Sequence, residues 1–72
     1  MVNVDKLKGR IVEKRHTVET LAKEIGIDKS TMYRKLNENG ESFSIGEAAK
    51  IAKALELSGE EAKNIFFADV VA

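Results

Sequence analysis

The chain has 72 residues, no cysteine, a single histidine and a formal net charge of zero. A chain of this length forms one small domain. Without cysteine and with one histidine, it has neither disulfides nor thiolate or histidine metal sites, so we expect no metal and no cofactor. No apolar run approaches the roughly 18 residues of a membrane span, and Met1 leads into a charged segment instead of a signal peptide. We therefore expect a cytoplasmic protein.

The zero net charge conceals two halves of opposite sign. Residues 1–35 hold nine Lys or Arg and five Asp or Glu, a net of +4, whereas residues 36–72 hold three Lys and seven Asp or Glu, a net of −4. Such asymmetry can mark a side that faces nucleic acid. Uneven charge is also common in small helical proteins, so the charge alone leaves the function open.

The absence of proline, with 43% hydrophobic and 33% charged residues, favours helices throughout. A first helix is predicted over residues 4–14, because the apolar residues Val4, Leu7 and Ile11 recur there at helical spacing. Thr17 is a good N-cap, and a second helix is predicted from Val18 to about Ile25. Its apolar stripe consists of Val18, Leu21, Ala22 and Ile25.

A tight turn of about three residues follows the second helix. Gly26 can end that helix in the left-handed conformation without a side-chain clash, and Asp28 can cap the next one. The third helix is predicted from Lys29 to about Asn37, with Met32 and Leu36 facing inward. Its opposite side, here called the polar face of the third helix, carries no acidic residue and consists of Lys29, Ser30, Tyr33, Arg34 and Asn37.

Two capping boxes predict the last two helices. A turn at Asn39-Gly40 precedes the first box, Ser44 with Glu47, which opens a helix to about Leu55. The second box, Ser58 with Glu61, opens the fifth helix. We therefore expect a single domain over residues 1–72, with a helical core at 1–66 and an apolar C-terminal tail at 67–72.

The second and third helices resemble the helix-turn-helix of the Cro and phage-repressor type, the XRE family. The family pattern looks like T-x-x-x-L-A-x-x-x-G-[VI]-[SD]-x-S-T-[IM], and this chain matches it at Thr17, Leu21, Ala22, Gly26, Ile27, Asp28, Ser30, Thr31 and Met32. The later segment EAAKIAKALELS resembles the family's fourth helix, so the resemblance covers nearly the whole chain. It implies an all-α, compact five-helix domain of the lambda-repressor-like type. It also implies a sequence-specific regulator of transcription, of phage or prophage kind, that binds double-stranded DNA.

The resemblance further implies roles for individual residues. In the family's docking mode the third helix enters the major groove, which points to base contacts by Lys29, Ser30, Tyr33 and Arg34 and to phosphate contacts by Thr17, Lys35 and Asn37. Alternatives remain: Arg34 and Lys29 could each contact phosphate instead, and Tyr33 could be partly buried. Many members have Gln where this chain has Val18, and the apolar residue that closes the third helix is more often at the position of Lys35 than at that of Leu36.

Two further expectations concern partners. Family members usually act as two-fold dimers on palindromic operators, and the apolar residues near the C-terminus are the predicted dimer interface: Phe66, Phe67, Val70 and Val71. The alternative is a tail folded onto its own core. The rival function is a protein-interaction module with a helix-turn-helix fold, such as an antirepressor or assembly factor. We expect no enzyme, because the sequence has no paired acid and base, no oriented nucleophile and no phosphate-cradling loop.

Overall fold

The computed structural model describes residues 2–70, and five α-helices make up most of this range. They are α1 (Val4–Glu13), α2 (Val18–Ile25), α3 (Lys29–Asn37), α4 (Ile45–Ala54) and α5 (Gly59–Phe66). Because residues 2–70 contain no strand, the predicted all-α, five-helix fold is confirmed. The helix-turn-helix pair is α2 and α3, joined by the predicted three-residue turn. None of the helices in residues 2–70 is long and apolar enough to span a membrane.

Each helix is preceded by a residue whose side chain accepts a hydrogen bond from a backbone amide of the first turn. Such a cap stabilises a helix by about 1 kcal/mol. The predicted caps of α2 to α5 are confirmed, namely Thr17, Asp28, Ser44 and Ser58. The cap of α1 is Asn3, whose Oδ1 accepts from the Lys6 amide at 3.1 Å; this cap was not predicted. Both predicted capping boxes are present.

The first four helices end in the same way, with a backbone hydrogen bond that spans five residues across a left-handed residue. The four bonds run from His16 to Ile11, Ile27 to Ala22, Gly40 to Lys35 and Leu57 to Ala52. Gly26, with φ of 81°, is the left-handed residue after α2, as predicted. The left-handed residues after the other three helices are Arg15, Asn39 and Glu56, with φ of 62°, 61° and 54°. Without glycine, each such position costs about 1–2 kcal/mol.

The helices share one hydrophobic core. It consists of Leu7, Ile11, Leu21, Ala22, Ile25, Met32, Leu36, Ile51, Leu55, Ile65 and Phe66. Helix α2 packs against α3 and α4, and α5 packs against α1 and α4. The predicted inward face of α3 packs into this core: Met32 is fully buried and Leu36 is 4% exposed. Burying two such side chains stabilises the position of α3 by roughly 1.5–3 kcal/mol each.

The segment before α1 closes the domain beside the α3–α4 connection. The amide of Asn3 donates to the Ile65 carbonyl at 2.7 Å, and Val2 packs against the core. Val2 also covers Gly40, which is buried and has a φ of 72°. A Cβ atom on Gly40 would lie 2.7 Å from the Cβ of Val2. Both the backbone conformation and the space therefore require glycine at this position.

Candidate nucleic-acid interface

The polar face of α3 is open to solvent along the whole helix. Lys29, Ser30, Tyr33, Arg34 and Asn37 are all exposed. At the start of the helix, the Asp28 carboxylate accepts from the Ser30 amide at 3.0 Å, and hydrogen bonds from Ser30 lower the pKa of Asp28. The first turn is therefore held in place by its cap, and the polar side chains project from a rigid element.

An acidic residue of α2 lies against this face. Tyr33 is 43% exposed, and its pKa is raised by desolvation and then by the carboxylate of Glu19. The pKa of Glu19 is lowered by its own backbone amide, then by the Tyr33 hydroxyl, and further by the charge of Lys29. Glu19 was not among the predicted site residues, because the faces of α3 alone do not indicate which residue of α2 lies beside them. The signal available was that Glu19 lies in the first turn of the helix paired with α3.

Arg34 is held by an acid that follows α3. Its Nη1 donates to Oε1 of Glu38 at 3.2 Å, and both side chains are about half exposed. The same carboxylate oxygen accepts from the Ser42 hydroxyl at 3.1 Å. A guanidinium that contacts DNA must therefore either give up this bond or use its remaining N–H groups.

Lys35 points towards α4 instead of along the polar face. Its Nζ donates to the Ser42 carbonyl and to Oε1 of Glu47, both at 2.9 Å, and lies 5.8 Å from the centre of the Phe43 ring. The side chain is only 12% exposed. The predicted phosphate contact by Lys35 would require both bonds to break. The pKa of Glu47 is lowered, chiefly by the Ser44 amide and then by Lys35.

The start of α2 is tied together by two threonines. Thr17 Oγ1 accepts from the Thr20 amide at 3.1 Å, and Thr20 Oγ1 accepts from the Thr17 amide at 2.8 Å. His16 reaches the same hydroxyl of Thr20 through Nδ1 at 3.1 Å. The predicted phosphate contact by Thr17 would share a hydroxyl that already caps the helix. Val18 is half-buried against the core and has no polar group in its side chain.

A family model described as the Cro/C1-type HTH DNA-binding domain matches residues 6–62, well over half of the chain. The chain belongs to this family. The resemblance proposed from the sequence is therefore confirmed, and the α2–α3 pair is the helix-turn-helix of a Cro/C1-type DNA-binding domain. A comparison with curated proteins and another with solved structures gave no match.

Membership in the Cro/C1-type family makes this protein a DNA-binding regulator. The second helix of the helix-turn-helix pair is α3. All four predicted base-contacting residues share one exposed face: Lys29, Ser30, Tyr33 and Arg34. Their individual contacts with DNA stay predictions.

Three of the predicted dimer residues, Phe66, Phe67 and Val70, line an apolar groove between α4 and α5. Phe66 is 8% exposed and belongs to the core, while Phe67 is 49% and Val70 is 76% exposed; Val71 lies outside the described residues. The groove has a volume of about 410 Å³. Ile45, at the start of α4, also lines it and is 83% exposed. Ile45 was not predicted as part of this surface, because it directly follows a cap and precedes the apolar stripe of α4.

Proposed function

We propose that the protein is a sequence-specific repressor of transcription that places α3 in the major groove of duplex DNA. The observation that carries this proposal is the polar face of α3, whose five residues are all exposed on a helix held by its cap and by two buried side chains. In this proposal it acts in the cytoplasm, where bacterial and phage DNA lies.

In this proposal Arg34 reads guanine. A bidentate contact from its guanidinium to O6 and N7 is worth about 1–3 kcal/mol of discrimination against another base. Lys29 and Ser30 lie in the first turn and approach neighbouring bases. Tyr33 packs on a thymine methyl group or reaches a phosphate. Thr17 and Asn37 contact phosphates on either side, which fixes the position of α3 but carries no sequence information.

The test is selection of binding sites from a random duplex pool, followed by titration of the selected duplex at several salt concentrations. We expect one sequence to be enriched and its affinity to fall steeply as salt rises, because phosphate contacts release counterions. Arg34→Ala should lower the affinity for the selected duplex about tenfold or more and relax preference at one base pair. Lys53→Ala, an exposed residue of α4, is the matched control. A protein that retains no duplex at low salt would be an interaction module and not a DNA-binding repressor.

We further propose that two copies pair through the groove between α4 and α5 and bind a palindromic operator with half-sites about 34 Å apart. Ile45, Phe67 and Val70 are large apolar side chains exposed around one concave surface. A patch of this kind is typical of a surface that a partner covers.

Sedimentation tests the pairing. Phe67→Glu introduces a charge into the groove and should shift the protein from dimer to monomer. Val12→Glu is the matched control, because Val12 is 74% exposed on α1 and does not line the groove. A chain ending at Ala68 should behave like Phe67→Glu. If the full-length protein is already monomeric at high concentration, a stable dimer in solution is refuted.

A further inference from the structure

Glu38 occupies a position where an acidic residue does not help the fold. It follows the last residue of α3 and forms its C-cap, and a negative charge at the C-terminus of a helix opposes the helix dipole. Its ion pair with Arg34 has the basic residue first, which is the weaker order for a pair four residues apart. Because both side chains are about half exposed, the pair adds little to stability. The position of Glu38 therefore calls for a reason other than stability.

The carboxylate of Glu38 lies between Arg34, the proposed base-contacting residue, and Ser42 in the loop that follows α3. Oε1 accepts from Arg34 Nη1 at 3.2 Å and from the Ser42 hydroxyl at 3.1 Å. When Arg34 moves away, the hydroxyl of Ser42 can still hold the carboxylate in place. Glu38 is thus positioned to bind Arg34 reversibly without itself being displaced.

We propose that Glu38 is a specificity-determining residue, which retains Arg34 on non-cognate DNA and yields it to guanine. This inference rests on the proposed function, because it assumes that Arg34 reads a base. Guanine presents two acceptors to the guanidinium, whereas Glu38 accepts a single bond from Arg34. Because the ion pair is half exposed and therefore weak, guanine displaces Glu38. A base that lacks the two acceptors leaves Arg34 on Glu38. The non-cognate complex then lacks any contact from Arg34 and is weaker than the cognate one.

Glu38→Gln provides the test, with Glu41→Gln as the matched control. Glu41 is exposed in the same loop, and its side chain makes no ion pair or hydrogen bond within residues 2–70. In Glu38→Gln, Arg34 is free to bind a phosphate on any sequence. One added phosphate contact changes log K by about 0.9 per decade of salt, so at about 0.1 M salt the affinity for random duplex should rise roughly eightfold.

The affinity for the selected duplex should rise less. Arg34 contacts guanine in both proteins. The variant therefore gains only the free energy that the exposed ion pair had contributed to the unbound parent, which raises the affinity for the selected duplex about twofold. The ratio of selected to random affinity should therefore fall about fourfold. The salt slope should steepen by about 0.9 on random duplex and stay unchanged on the selected one. In an Arg34→Ala background, Glu38→Gln should leave the ratio unchanged.

The possible outcomes separate this inference from the proposed function. If the parent binds a selected sequence but Glu38→Gln raises both affinities equally, or matches Glu41→Gln, then Glu38 acts only as a general negative charge and the inference fails alone. A persisting effect in the Arg34→Ala background also overturns it, because Glu38 would then act independently of Arg34. If the parent retains no duplex at low salt, the proposed function and this inference both fail. Melting temperatures close to that of the parent establish that each variant is folded.

Discussion

Replacing Lys35 with Met should weaken the fold while leaving the contacts with phosphate unchanged. The substitution keeps an apolar side chain of similar length but removes the ammonium that bonds to the Ser42 carbonyl and to Glu47. Glu47 keeps its bond from the Ser44 amide at 2.9 Å, so its carboxylate is only partly deprived of donors. The substitution therefore tests the connection between α3 and α4 with little change elsewhere.

The expected loss of stability follows from the exposure of the pair. An exposed ion pair contributes up to about 1 kcal/mol, and a hydrogen bond to a charged group contributes about 1.5–3 kcal/mol. Because the side chains of Lys35 and Glu47 are 12% and 20% exposed, we expect a loss of about 2 kcal/mol. For a domain of this size that lowers the melting temperature by roughly 8–16 °C. Lys23→Met, on an exposed lysine of α2, should change stability by less than about 0.5 kcal/mol.

The DNA assay distinguishes this role from a phosphate contact. A lysine that contacts phosphate contributes about 0.9 to the slope of log K against log salt concentration. We expect Lys35→Met to leave the slope unchanged below its melting temperature. Lys29→Met, which removes an exposed ammonium of the polar face, should lower the slope if Lys29 reaches a phosphate. A Lys35→Met protein with the parental melting temperature and a slope lower by about 0.9 would refute the reasoning.

Three further predictions concern stability. Gly40→Ala should lower the free energy of unfolding by roughly 2–3 kcal/mol, because the new Cβ would meet Val2 at 2.7 Å and φ is 72°; Gly59→Ala, with no atom within 4 Å, is the control in thermal melts. Glu56→Gly should raise the free energy of unfolding by about 0.5–1 kcal/mol, since glycine relieves a φ of 54°. An unchanged midpoint of urea unfolding would contradict this. Because the pKa of Glu47 is lowered in the folded state, its charged form stabilises the fold at any pH above the usual carboxyl pKa of 4.5. This contribution is lost as the pH falls through the lower pKa of the folded state. Urea midpoints should therefore fall on acidification below about pH 4.5, and less steeply in Glu47→Gln.

The local features of the fold were predictable because they depend on neighbours in sequence. A cap and its target amide lie two or three residues apart, so Thr17, Ser44 and Ser58 identified the starts of their helices. Periodicity likewise identified the buried Met32 and Leu36. The family pattern added the docking mode, which these local signals do not contain.

The electrostatic partners of the site were not predictable from the same signals. Lys35 pairs with Glu47 twelve residues away, and Glu19 comes to Tyr33 from another helix. Both contacts depend on how α2, α3 and α4 cross, which periodicity does not specify. The left-handed Arg15 and Glu56 were also missed, because side chains of this kind do not mark a helix end as glycine does.

The shortness of the helices links DNA binding to folding of the whole domain. None of the helices in residues 2–70 exceeds ten residues, and isolated helices shorter than about 12–15 residues are marginal in water. Helix α3 therefore exists only while the shared core is assembled, and a partly unfolded chain cannot present its polar face. DNA that binds the folded chain but not the unfolded chain should raise the melting temperature by mass action. Conversely, a core substitution far from α3 should reduce occupancy of DNA by lowering the folded fraction, even though every side chain that faces the DNA is unchanged.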